Sequence, residues 1–181
     1  IAENPADLDA LMNAKLAGSG ETVQAALQDK ILVIGENLKI RRFERYEGVC
    51  ASYVHGGGRI GVLVQFETDL GDKAEFEAYG KDIAMQIAAM DPKYVSRDEV
   101  PADFLEHEKE ILMAQAKEEN PNKPENIIEK MIIGRLNKEM KEICLLDQSY
   151  VQDGDMTVAQ YAAKVGKENN TDFSVVRFVR F

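Results

Sequence analysis

The chain has 181 residues, of which 45% are hydrophobic, so it can bury a core in one large domain or two small ones. Its 22 basic and 32 acidic residues leave a net charge of −10. This acidity argues against sequence-independent nucleic-acid binding, because such binding neutralises phosphates with Lys and Arg.

The sequence shows no apolar run near the length of a membrane span, and no signal peptide at its start. Cys50 and Cys144 lack the spacing of a zinc site, and both lie in apolar surroundings that favour buried thiols over a disulfide. We therefore expect a protein of the reducing cytoplasm with no membrane partner.

The beginning of the chain predicts two amphipathic helices. Apolar residues between Pro5 and Leu16 fit a short helix, which Gly18-Ser19-Gly20 would end. Gly35 is placed to end the second helix. The apolar face of that second helix recurs at steps of four, four and three residues, at Val23, Leu27, Ile31 and Ile34.

Three β-prone runs follow. Leu38–Tyr46, Val49–Val54 and Ile60–Phe66 predict consecutive antiparallel strands. Gly48 and the run Gly56–Gly58 supply the reversals between them, because glycine tolerates the backbone angles that a tight turn requires.

The later elements complete an α+β pattern. Asp72 with Glu75 predicts a capping box and a helix that Pro92 closes, and Thr157 with Gln160 predicts a second cap. Two charged helices within residues 101–144, interrupted at residues 120–124, predict an antiparallel helical hairpin. Val175–Phe181 is expected to add a strand. The predicted fold class is thus α+β, with an antiparallel sheet covered by helices on one face and a projecting helical hairpin.

Enzymatic chemistry has little support in the sequence. Cys50 and His55 are five residues apart on one predicted strand, so their side chains face opposite ways and cannot form a nucleophile–base pair. Gly56–Gly58 precedes a strand and lacks the lysine of a phosphate-binding P-loop. His55 and His107 are too far apart in sequence to suggest a metal site. We expect no catalytic residue, cofactor or metal.

Two non-enzymatic alternatives stay open. Lys39, Arg41 and Arg45 would share one face of a strand, which is a local basic patch suited to RNA. The net charge and the lack of interleaved aromatic residues weigh against that interpretation. A scaffold protein that uses the helical hairpin alone is also compatible with the sequence, because such a hairpin specifies no partner.

Several short motifs occur in a fixed order along nearly the whole chain. The stronger ones are Ile34-Gly35-Glu36-Asn37, Ile40-Arg41-Arg42, Tyr53-x-His55 and Gly58-Arg59-Ile60-Gly61-Val62-Leu63-Val64. Weaker ones are Ile83–Ala89, Pro92-x-Tyr94-Val95, Glu129–Arg135 and Val176–Phe178. Together they resemble the elongation factor Ts family, whose members exchange the nucleotide of the translational GTPase elongation factor Tu.

The resemblance implies a cytoplasmic, non-enzymatic exchange factor whose partner is elongation factor Tu. It implies no direct binding of nucleotide or nucleic acid, and it leaves a homodimer as an alternative. The residues implied to contact the GTPase are Ile34, Gly35, Glu36, Asn37, His55, Gly56 and Arg59.

The resemblance also implies a domain organisation. Residues 1–36 correspond to remnant helices of a first core subdomain, residues 37–100 and 145–181 to a second α+β subdomain, and residues 101–144 to the projecting helical hairpin. Family members begin with a helical module and an early strand that ends in Thr-Asp-Phe-Val. This chain opens at Ile1, so we expect it to enter the family's core partway. Thr171-Asp172-Phe173-Ser174 is not expected to replace that signature, because it follows a helix and leads into the last strand.

Overall fold

The computed structural model describes residues 3–181, which fall into two compact units that meet in sequence between Arg45 and Tyr46. The first unit contains two helices, α1 (Leu8–Asn13) and α2 (Val23–Ile34). The Thr22 side chain accepts a hydrogen bond from the Ala25 amide and caps α2. Gly35 ends α2 in the left-handed conformation with φ of 78°, as the sequence predicted.

The strand predicted at Leu38–Tyr46 is wrong. This segment is irregular, and none of the strands in the described part of the chain pairs with it. A β-prone run favours a strand, but a strand forms only where another strand can satisfy its backbone N–H and C=O groups. The expectation that Lys39, Arg41 and Arg45 share a strand face is therefore wrong as well.

The second unit is built on a three-stranded antiparallel sheet and four helices. The sheet has the order β1-β2-β5. In chain order the elements are β1 (Val49–His55), β2 (Ile60–Thr68), α3 (Ala74–Met90), α4 (Ala102–Glu119), α5 (Glu125–Ile143), β3 (Ser149–Tyr150), β4 (Asp153–Thr157), α6 (Val158–Asn169) and β5 (Phe173–Arg180). The hairpin of β1 and β2 and the final strand confirm the predicted reversals at Gly56–Gly58 and the predicted last strand. The short β3–β4 hairpin was not predicted.

The main core lies between the sheet and helices α3 and α6. Residues at alternate positions on β2, such as Val62 and Val64, are buried against apolar residues of α3, such as Ile83 and Ile87. Helix α3 approaches the sheet closely at Gly80, where a Cβ would lie 2.6 Å from the Cβ of Ala51. The observed fold is α+β, as predicted.

Of the two predicted helix N-terminal capping boxes, the one at Thr157 is present and the one at Asp72 is not. At Thr157 both hydrogen bonds of a capping box are present, since its hydroxyl accepts from the Gln160 amide and the Gln160 side chain accepts from the Thr157 amide. The capping box predicted at Asp72 is wrong. Helix α3 begins at Ala74 after Lys73, which makes no side-chain cap bond, so Glu75 is one position too early to complete a box.

Helices α4 and α5 form the predicted antiparallel hairpin, with apolar clusters separate from the main core. One cluster near its base centres on Val100, Met140 and Cys144, and a second one centres on Ala116, Ile128 and Ile132. We call residues 96–143 the arm. None of the described helices is long and apolar enough to cross a membrane.

A buried tyrosine pair makes stability depend on pH in the alkaline range. The rings of Tyr150 and Tyr161 stack with their centroids 4.3 Å apart, and the Tyr161 hydroxyl donates to Asp82 at 2.8 Å. Burial raises the pKa of Tyr150 from 10.0 to about 12, and it also raises the pKa of Tyr161. Tyr150 ionises more easily in the unfolded chain than in the folded one. Its contribution to the free energy of unfolding is therefore complete below pH 10 and is lost as pH rises toward 12.

We therefore expect the wild type to lose about 1 kcal/mol more unfolding free energy than Tyr150→Phe between roughly pH 8 and 11. Urea denaturation at both pH values measures this difference. Equal losses in the two proteins would contradict it, because the phenylalanine variant keeps the other alkaline-titrating groups.

Candidate partner-binding site

The residues predicted at the end of α2 form an exposed helix terminus in the first unit. Ile34, Gly35, Glu36 and Asn37 are all exposed, and Ile34 keeps 54% of its accessible surface. The two preceding residues are even more exposed, at 81% for Leu32 and 84% for Val33.

Of these three consecutive apolar residues at the end of α2, helical spacing placed only Ile34 on the predicted apolar face. The run Leu32-Val33-Ile34 was itself the available signal, because three consecutive apolar residues cannot all face one side of a helix. An exposed apolar group of this kind commonly marks a surface that another chain covers.

The second predicted group lies at the β1–β2 turn, in the second unit. His55 is the last residue of β1 and pairs with Ile60 of β2. Its carbonyl accepts hydrogen bonds from the amides of Gly58 and Arg59, at 3.2 and 3.1 Å. The three glycines of the turn have φ of 59°, 67° and 97°, a conformation that disfavours residues with a Cβ. The turn therefore displays His55, Gly56 and Arg59 as exposed residues.

The ring of His55 has one defined side-chain neighbour. Its Nδ1 lies 2.9 Å from the Tyr53 hydroxyl, at hydrogen-bonding distance, and the two ring centroids are 5.9 Å apart. Residues 53 and 55 share a strand face, so this contact fixes the imidazole on the side of the sheet that faces α3. The other ring nitrogen has no partner among the side-chain hydrogen bonds of the described residues.

A groove of about 790 Å³ lies beside His55. It extends along the second half of α3 and reaches the turn between β3 and β4. Its lining is mainly apolar, with polar groups from His55, Gln152 and Arg180. The lining residues are Tyr53, His55, Ile60, Met85, Ala88, Ala89, Val151, Gln152 and Arg180.

Of the predicted contact residues, His55 alone lines this groove, and the sequence did not connect it with the other lining residues. Arg180 illustrates why, because it comes from the last strand and is held by contacts with the end of α3. Its guanidinium donates to the Ala88 carbonyl at 3.3 and 3.4 Å and lies 3.4 Å from Asp91. The weak motif Ile83–Ala89 was the available signal for the α3 wall.

The remaining sequence candidates do not join these surfaces. Thr171 and Asp172 connect α6 to β5, and Phe173 is buried with its ring 5.2 Å from that of Phe66. Burial also raises the pKa of the Cys50 and Cys144 thiols, which disfavours the reactive thiolate. Within residues 3–181, no cluster of three or more His, Cys, Asp and Glu side chains could hold a metal ion.

Exposed apolar surfaces on a small α+β domain are typical of modules that bind other proteins. Comparison with known sequences gives the family directly. The family model described as elongation factor TS matches residues 1–181, and the chain belongs to this family.

Three relatives named elongation factor Ts illustrate the similarity. The protein of Clostridioides difficile is 52% identical over 164 residues, which cover 90% of this chain and 53% of the relative. Those of Syntrophotalea carbinolica and Trichlorobacter lovleyi are 44% and 45% identical over 100% of this chain and 60% of each relative. The chain thus spans little more than half the length of these relatives.

Proposed function

We propose that this chain is the core of a guanine-nucleotide exchange factor that binds elongation factor Tu and promotes release of its GDP. The observation that carries the proposal is the family match over residues 1–181, together with the exposure of the motif residues Ile34–Asn37 and His55. Had Ile34–Asn37 and His55 been buried like the motif residues of β2 and α3, these positions would have indicated a purely structural role.

The proposed activity needs no bond chemistry on the factor. An exchange protein that binds the nucleotide-free GTPase more tightly than the GDP-bound form must, by reciprocity, weaken GDP binding. The ratio of the two affinities is the same in both directions. Each tenfold of this coupling corresponds to about 1.4 kcal/mol. The chain would therefore act in the cytoplasm as a binding protein, with no nucleotide, cofactor or nucleic acid of its own.

Two surfaces would supply the contacts. The end of α2 presents apolar side chains and a carboxylate, while the β1–β2 turn presents an imidazole and a guanidinium beside an apolar groove. Apolar anchors surrounded by polar groups are the usual composition of a protein interface. The occupants that we propose for the groove are apolar side chains of elongation factor Tu.

The test is release of a fluorescent GDP analogue from elongation factor Tu, chased with excess GDP, with and without this chain. We expect a release rate that rises with concentration of the chain and then saturates. Calorimetry should show tighter binding to the nucleotide-free GTPase than to its GDP-bound form. No heat and no co-elution at tens of micromolar would refute the proposal. Salt-sensitive retention on RNA in the same preparation would instead favour the RNA-binding alternative.

A further inference from the structure

The turn between β3 and β4 forms one part of the groove beside His55, yet its own strands are very short. Pairing between them consists of Ser149 with Thr157 and Tyr150 with Asp153, interrupted by an irregularity. A two-stranded ladder this short adds little stability of its own, so contacts from outside the ladder help to hold its turn. Val151, in the turn, keeps 47% of its accessible surface.

Gln86 of α3 contacts the backbone on both sides of Tyr150. Its side-chain oxygen accepts a hydrogen bond from the Val151 amide at 2.8 Å, and its Nε2 donates to the Ser149 carbonyl at 3.1 Å. The same Nε2 lies 3.1 Å from the Gln148 side-chain oxygen. Gln86 is completely buried. A buried amide is costly unless its groups are paired, and here one partner is the Val151 amide in the turn and the others belong to Ser149 and Gln148 just before it.

Asp82, which lies four residues before Gln86 on α3, holds Gln152, the next residue of the β3–β4 turn. One carboxylate oxygen accepts from Gln152 Nε2 at 2.8 Å, and the other accepts from the Tyr161 hydroxyl at 2.8 Å. Residues 82 and 86 are four apart, so they lie on one face of the helix. Other residues of the same helix, Met85 and Ala88, line the groove itself.

We infer that Asp82 and Gln86 are positioning residues for partner recognition. They hold Val151 and Gln152 in place as one wall of the groove that His55 also lines. A partner then meets a preformed surface and does not have to order the turn on binding. The binding consequence rests on the proposed function, whereas the positioning of the turn is a property of the free chain.

The first measurement uses the free chain. Gln86→Met keeps the side-chain volume but removes the acceptor of the Val151 amide. We expect hydrogen exchange of that amide, followed by NMR, to accelerate by about tenfold. Asp82→Ala, which releases Gln152, is the second variant and keeps the test informative should Gln86→Met not fold. Tyr161→Phe is the matched control, because it removes the other bond of Asp82 and leaves both contacts with the turn.

The second measurement is the dissociation constant for nucleotide-free elongation factor Tu, well below the melting temperature of each variant. We expect Gln86→Met and Asp82→Ala to weaken binding by about tenfold, and Tyr161→Phe to stay within about twofold at a comparable loss of melting temperature. Unchanged exchange of the Val151 amide would overturn the positioning role. If the loss of affinity were proportional to the loss of melting temperature in all three variants, the role in recognition would be overturned. Failure of the wild type to bind would instead count against the proposed function, and the amide measurement would still decide the positioning.

Discussion

Replacing Ile83 by alanine is expected to lower the free energy of unfolding by about 2–5 kcal/mol. Ile83 is completely buried in the core between α3 and the sheet, and truncation would leave a cavity among neighbours that belong to several different elements. Urea denaturation of the two proteins measures the difference from the shift in midpoint.

Ile133→Ala is the matched control for this prediction. Ile133 lies on α5 and keeps 58% of its accessible surface, so the same change of side chain should alter stability by less than about 0.5 kcal/mol. Similar losses in both variants would mean that the main core does not lie where the sheet and α3 place it.

Replacing His55 by alanine is expected to weaken binding to elongation factor Tu by about tenfold, or 1–2 kcal/mol, while the melting temperature stays unchanged. The imidazole is exposed and its defined side-chain contact is with the partly buried Tyr53, so the fold loses little when it is removed. Calorimetric titration and thermal unfolding of the same samples separate the two effects.

Val54→Ala provides the comparison for His55. Val54 is the neighbouring residue on β1, keeps 66% of its accessible surface and does not line the groove, because adjacent strand residues face opposite ways. Its truncation should leave the dissociation constant for elongation factor Tu within about twofold of the wild-type value. A drop of several degrees in the melting temperature of His55→Ala would show that the histidine serves the fold.

Much of the fold could be predicted because it depends on local chemistry. Gly35 ends a helix since it accommodates a positive φ, and Thr157 starts one since its hydroxyl reaches a free amide. The strand predicted at Leu38–Tyr46 failed for the opposite reason. A strand is completed by a partner that lies elsewhere in the chain, and no local pattern reveals whether that partner is present.

The candidate site divides in the same way. The helix end and the β1–β2 turn are continuous in sequence, so motifs could locate Ile34–Asn37 and His55. The groove is assembled from β1, α3, the β3–β4 turn and β5. Its lining residues become neighbours only when the second unit folds. Arg180 could not be connected with Tyr53 from sequence, because nothing in either segment specifies the other.

The two ends of the arm meet at its base through backbone hydrogen bonds. The amides of Lys93 and Tyr94 donate to the Ile143 carbonyl, and the amides of Leu145 and Leu146 donate to the carbonyls of Tyr94 and Val95. The chain thus leaves and re-enters the core at one place. Residues 96–143 are in effect an insertion in a smaller domain, so their length could vary between homologues, or a short turn could replace them, while the order β1-β2-β5 stays intact.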